Sequence, residues 1–316
     1  MAPLPAERCQ TTRLFQICGI DVCGTFKVKQ GRASVKRYAC IFSCFSSRAI
    51  HIEMLNSLTA SSLVNALVRM SSRRGPVEQI FSDQGTNMVG SDNELKSVLT
   101  EVNQKIIAQG ARRMNIQWHF NPPKASHMSG ATERMIRIIR RVLQAILSVN
   151  DRLCDETLET VFCECENIVN SRPLTRCNDD PSDDVITPNH ILLLHGNHAF
   201  PWSRSKKTDT ITNLWKHAQF AANQFWRKWL KLYIPELNRR QKWLKKTPNL
   251  NVGDICLITD KMTERGVYPM GRVIEVNMGR SDDRVRSVKL QTPSTQLVRP
   301  IHKLVLLEGQ LDNETI

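Results

Sequence analysis

Residues 14–83 restrict the fold more than any other stretch of the sequence. Three apolar, β-branched segments follow one another through short links, "LFQICGIDVCGTF" (14–26), "SVKRYACIFSCFS" (34–46) and "RAIHIEML" (48–55). Links this short allow only antiparallel neighbours. The period then changes. In "TASSLVNALVRMSSRRG" (59–75), Leu63, Leu67 and Met70 share a helical face, and Gly75-Pro76 stops the helix. "VEQIFSD" (77–83) is a fourth strand, and a strand reached through a helix pairs parallel. A second helix is expected from the capping box Ser91-x-x-Glu94 to about Gln109, then a fifth strand in "MNIQWHFNPP" (114–123). "ATERMIRIIRRVLQAILSV" carries Ile136, Ile139, Leu143 and Ile146 as a buried helical stripe. A helix over 155–170 buries Leu158, Val161, Phe162, Cys165 and Ile168. This order predicts an α/β fold with a mixed five-stranded sheet.

The remaining chain changes texture twice. Residues 171–209 hold Pro173, Pro181, Pro188 and Pro201 and read as a long irregular connection. A helix is expected over about 210–232, with Ile211, Leu214, Trp215, Ala218, Phe225, Trp229 and Leu232 on one stripe, followed by the basic "RRQKWLKK". "VGDICLITD", "GVYPMGRVIEVN", "VRSVKLQT" and "TQLVRPI" are short strands separated by Gly, Asp and Pro, which predicts a small β-barrel of about five strands. The expected domains are 1–200 (α/β core), 201–247 (basic helical linker) and 248–308 (barrel), with a tail at 309–316.

Lys and Arg number 44 against 30 Asp and Glu, a net charge of +14. An excess of that size fits a polyanionic partner, above all nucleic acid; a generally basic surface is the plain alternative. The ten cysteines lie mostly in apolar runs, as small hydrophobes of a reducing compartment do. Neither Cys40/Cys44 nor Cys163/Cys165 has a chelating spacing for zinc. No apolar run approaches the roughly 20 residues of a membrane helix, so no membrane partner is expected.

Three acids stand where chemistry can occur. Asp21 falls inside the first predicted strand, where an ionised carboxylate is costly unless it is paired or binds a cation. Asp83 ends the fourth strand, and Glu133 lies in the first turn of its helix. Each has an ordinary reading: Asp21 beside a bulge, Asp83 in a turn, Glu133 facing the helix dipole. Should strands one and four be neighbours, the two aspartates meet at one end of the sheet. Converging carboxylates repel unless divalent cations separate them, and hard oxygen donors suit Mg²⁺ or Mn²⁺. Two such ions about 3.5–4 Å apart can act on a phosphodiester. Arg134, Arg137, Arg140 and Arg141 line the helix of Glu133 away from its apolar stripe. They form either a phosphate-binding row or a solvated basic face.

"GID" at Asp21, "SDQGTN" at Asp83 and "FNPPKASHMSGATER" at Glu133 resemble the D,D,E motifs of retroviral-type integrases, most closely those of BEL/Pao-type LTR retrotransposons. "NSRPLT" (170–175) and "TPNHILL" (187–193) resemble the end of that catalytic core. "QFWRKWLKLYIPELNRRQKW" and the strands after it resemble the uncharacterised domain that follows. The resemblance implies a ribonuclease H-like sheet followed by an SH3-like barrel, with Asp21, Asp83 and Glu133 as catalytic and metal-binding residues for two Mg²⁺ (or Mn²⁺) ions. It also implies a polynucleotidyl transferase that processes DNA 3′ ends and joins them to target DNA. Asn87, Lys124, His127, Arg134, Arg137, Arg140 and Arg141 are the expected nucleic-acid contacts. Double-stranded DNA is the expected partner, with a homo-oligomer as the assembly and the nucleus, after passage through the cytoplasm, as the site of action. The family pattern further implies that the chain is a piece of a longer polyprotein. The sequence departs from it at Cys23, Thr25, Ser129 and Thr132. Two other classes remain open: a ribonuclease H-like nuclease that only hydrolyses, and a decayed or domesticated chain that binds DNA without chemistry.

Overall fold

The computed structural model describes residues 12–83, 107, 109–121, 130–147, 153–176, 185–195, 214–237, 249–259, 263, 265–279 and 284–308. The chain divides into two compact units, Met1–Asn170 with Trp202–Phe225, and Ser171–Pro201 with Trp226–Ile316.

The first unit is built on strands β1 (Ile17–Gln30), β2 (Ala33–Cys44), β3 (Ile50–Leu55), β4 (Gln79–Asp83) and β5 (Gln117–Asn121). Its helices are α1 (Ala60–Arg74), α2 (Gly130–Leu147) and α3 (Asp155–Asn170). The sheet order is β3-β2-β1-β4-β5. β1, β2 and β3 are antiparallel neighbours, whereas β4 lies parallel to β1 and β5 parallel to β4. The mixed five-stranded sheet expected from the element order is therefore present. Thr59 starts α1 by accepting from Ser62 N, and Gly75 ends it with its N–H on Ser71 O. Leu63, Leu67 and Met70 of α1, Ile139, Val142 and Leu143 of α2, and Leu158, Val161, Phe162, Cys165 and Ile168 of α3 are all buried. α1 and α3 pack against β3, and α2 against β1.

β1 is longer than its sequence suggests. The strand read over 14–26 runs on through Gly24 to Gln30, with a register shift between Cys23 and Phe26. At φ +145° a Cβ on Gly24 would stand 2.9 Å from Tyr38 Cδ1 and 3.0 Å from the Arg37 carbonyl oxygen. Glycine here permits a close strand approach rather than a stop.

Two polar clusters fasten the helices. Arg37 makes a bidentate pair with Asp155 at the start of α3 (Nε–Oδ1 2.8 Å, Nη2–Oδ2 2.9 Å). Asn170, at the other end, donates from Nδ2 to Ile50 O and accepts at Oδ1 from Ile50 N, both at 2.8 Å. It therefore completes the hydrogen bonding of β3 as a further strand would. Asn170→Ala leaves a buried donor and acceptor unmatched, and we expect a loss of about 1–3 kcal/mol in chemical denaturation.

The second unit begins with the pair β6 (Thr175–Arg176) and β7 (Val185–Ile186) and helix α4 (Pro188–Leu193). The irregular connection expected over 171–209 thus contains regular structure. α4 starts on a capping box in which Thr187 and His190 cap each other, with Pro188 in the first turn. Helix α5 (Leu214–Leu237) crosses the division between the units. Its Leu214 and Trp215, expected on the buried stripe, are 48% and 52% exposed, and the buried face starts at Ala218. From Trp226 onward α5 lies in the second unit, where Trp229 donates to Tyr268 Oη (2.8 Å) and Trp226 to Thr263 O (3.2 Å).

Strands β8 (Ile255–Ile258), β9 (Met270–Met278), β10 (Val285–Gln291), β11 (Gln296–Pro300) and β12 (Leu304–Glu308) form one antiparallel sheet of order β11-β10-β9-β8-β12. Cys256, Ile258, Val273, Val285, Val288, Leu290 and Leu304 make its core. Five strands were expected and five are found. The closed barrel was not: among the described residues β11 and β12 are the two edges and do not pair. Strand spacing fixes a number of strands, whereas closure depends on tilt and register.

Candidate functional site

The parallel pairing of β1 with β4 decides which acids can meet. Its register runs Ile17↔Gln79 to Ile20↔Ser82, so one further step sets the Asp21 and Asp83 positions side by side. Asp83 in turn pairs with Asn121 at the end of β5. Asp21 is partly open, its side chain 21% exposed, between the buried Ile20 and Cys23.

The third acid comes on α2, whose apolar face packs against β1. On that helix Arg140 reaches the sheet, with Nη1 3.3 Å from Asp21 Oδ2. Glu133 precedes Arg140 by seven residues, two helical turns or about 10 Å along the axis, on the same side of the helix. The backbone therefore brings the three acid-bearing elements together. The side chains of Asp83, Glu133 and Arg134, and all of Asn87, Lys124 and His127, lie outside the described residues. Arg137 and Arg141 are exposed, as a phosphate-binding row or a solvated face both require.

Among the described residues no group of three or more His, Cys, Asp or Glu is placed to hold a metal ion. Burial first, and the charge of Asp21 second, push the Cys23 thiol well above its ordinary range, with Arg140 opposing. No described helix is long and apolar enough to cross a membrane.

A second polar cluster, on β3, escaped the sequence reading. His51 donates from Nε2 to Glu53 Oε1 (2.9 Å) and from Nδ1 to Glu166 Oε2 (3.0 Å). Arg74 Nε is farther from Nδ1, at 3.4 Å, so that nitrogen lies closer to the carboxylate, and two flanking carboxylates favour the protonated ring. Glu53 also accepts from Arg69 Nε (2.7 Å) and Arg73 Nη1 (2.9 Å), and Glu166 pairs with Arg74. Glu53 and His51 are only 3% and 4% exposed. Burial alone would push His51 down, but its bonds to Glu166 and Glu53 outweigh that and hold it above the usual imidazole value. Burial likewise pushes Glu53 up, and the bonds from His51 and Arg69 outweigh it, leaving Glu53 below the usual carboxylate range. The signal was available: in "RAIHIEML" His51 and Glu53 alternate, so one face of a buried strand is charged.

Residues 213–307, from just before α5 into β12, match a family of unknown function, DUF5641. No curated protein matches the chain. A solved cryo-EM structure, the simian T-cell lymphotropic virus intasome in complex with PP2A regulatory subunit B56 gamma, is similar over 94% of this chain and 83% of that chain, at 11% identity and a TM-score of 0.37.

Proposed function

We propose that this chain is the catalytic core and following domain of a retroelement integrase of the BEL/Pao type, which trims DNA 3′ ends and joins them to target DNA. The observation that carries the reading is the parallel register that sets Asp21 beside Asp83, with the helix of Glu133 packed on the same strand. Equivalent positions of neighbouring strands lie about 4.8 Å apart and project to one side of the sheet. Two carboxylates so placed repel unless a cation lies between them, and the chain already sets a guanidinium against Asp21. An all-oxygen donor set at a partly open position fits Mg²⁺ or Mn²⁺, held by Asp21, Asp83 and Glu133. Two such ions would polarise the phosphodiester and lower the pKa of the attacking water or 3′-hydroxyl.

The chain's own residues position the DNA. Arg137 and Arg141, exposed on α2, offer charge-assisted hydrogen bonds to phosphates, and Asn87, Lys124, His127, Arg134 and Arg140 join them. Such contacts fix the register of the duplex and carry little sequence information. Three antiparallel strands continued by two parallel ones support a ribonuclease H-like core over 1–200. The order β12-β8-β9-β10-β11, with a 3₁₀ turn at Ile301–Lys303 between the last two strands, supports an SH3-like domain over 248–308. Residues 201–247 link the two, homo-oligomers hold both DNA ends, and the substrate places the work in the nucleus.

A strand-transfer assay with Mg²⁺ or Mn²⁺, on the full chain and on Asp21→Asn, tests the reading. The expected result is joined product from the wild type and none from the variant. Cleavage without joining would replace the integrase by a nuclease. DNA retention with no product from either chain would leave only a DNA-binding protein.

A further inference from the structure

We infer that Arg140 is an internal counter-ion of Asp21 that competes with the metal, so that metal binding releases its guanidinium to the DNA phosphates; this rests on the integrase reading above. The geometry of the pair points to exchange. Arg140 approaches Asp21 through a single nitrogen at 3.3 Å, with the two side chains 24% and 21% exposed. Among the described residues the other arginine–carboxylate pairs of the first unit are tighter: Arg74–Glu166, Arg13–Glu78 at 2.6 Å, Arg37–Asp155 at 2.8 Å, Arg69–Glu53 at 2.7 Å and Arg73–Glu53 at 2.9 Å. Arg37 and Glu53 are buried fasteners, whereas the Arg140 pair is partly open and the longest of these, so it gives way more readily. Its acid is the one that the parallel register sets beside Asp83. Its base stands on the same side of α2 as Glu133, so a guanidinium leaving Asp21 remains beside the reacting centre.

Competition has a measurable consequence. If Arg140 and the metal exclude each other at Asp21, removing the guanidinium frees the acid and tightens the metal by a factor set by the strength of the ion pair.

The test is a Mn²⁺ titration followed by electron paramagnetic resonance, without DNA, on the wild type and on Asp21→Asn, Arg140→Gln, Arg140→Lys, Arg137→Gln and Arg141→Gln. The expected result is about two- to fivefold tighter Mn²⁺ binding by Arg140→Gln, from the worth of a partly exposed pair. Arg140→Lys, Arg137→Gln and Arg141→Gln should stay near the wild type. In a parallel DNA-binding measurement, the gain in affinity on adding Mn²⁺ should be smaller for Arg140→Gln than for the wild type. Unchanged or weaker Mn²⁺ binding by Arg140→Gln would overturn the inference alone. So would equal tightening by all three glutamine variants, which would mean a general field and no competition. Equal Mn²⁺ binding by the wild type and Asp21→Asn, or none by either, would instead sink the metal reading and the inference with it.

Discussion

Asp83→Asn is expected to slow DNA joining by about a thousandfold while leaving DNA binding within a few-fold. Asn keeps the shape of Asp and, as a backbone member of β4, keeps the pairing with Asn121 in β5. What it removes is one negative oxygen donor. Metal-assisted displacement depends on several kcal/mol of such charge stabilisation, and each 1.4 kcal/mol is a factor of ten. Binding rests on phosphate contacts from exposed arginines such as Arg137 and Arg141, which the substitution does not touch. Single-turnover joining and filter binding measure the two quantities separately. Joining within tenfold of the wild type would remove Asp83 from the chemistry.

Glu53→Ala is expected to destabilise the first unit by about 3–5 kcal/mol. Glu53 is 3% exposed and accepts from His51, Arg69 and Arg73. Its removal leaves the buried His51 with one carboxylate, Glu166, leaves Arg69 with the Met54 carbonyl, and takes the Glu53 bond from Arg73. Breaking one partner out of a buried charge cluster costs this much because His51 and Glu166 stay desolvated. For a unit of this size the melting temperature should fall by roughly 6–20 °C. A fall below about 2 °C would show that the arginines recover their hydration in solution.

The same cluster gives stability a pH signature. His51 is held above its ordinary 6.5, so its contribution is whole below about pH 6.5 and is lost as pH rises through the raised value. Glu53 is held below its ordinary 4.5, so its contribution is whole above about pH 4.5 and is lost as pH falls through the lowered value. Between these limits both contributions are whole and the curve is level; Glu53→Ala should lower that plateau and flatten the falls on either side of it.

The first unit was legible because its elements have clean periods. Leu63, Leu67 and Met70 announced α1, and Ile136, Ile139, Leu143 and Ile146 announced α2; all seven are buried. The helix between the third and fourth strands predicted a parallel pairing; that β4 neighbours β1, on which the meeting of the Asp21 and Asp83 positions depends, is a finding of the structure. Other features answer to distant partners. Gly24 permits a close approach to Tyr38 in the next strand. Arg140 meets Asp21, an acid 119 residues away in the chain, a pairing that the helix pattern does not contain. The cluster around His51 and the bridge from Asn170 to Ile50 join residues up to 120 positions apart, and no local pattern encodes such pairings.

The most direct test of the whole account is a crystal of the full chain soaked in Mn²⁺, measured at the manganese absorption edge. An anomalous peak bonded to both Asp21 and Asp83, with Arg140 withdrawn, is the predicted result. Asp21 still closed on Arg140, with no manganese between the aspartates, would contradict it.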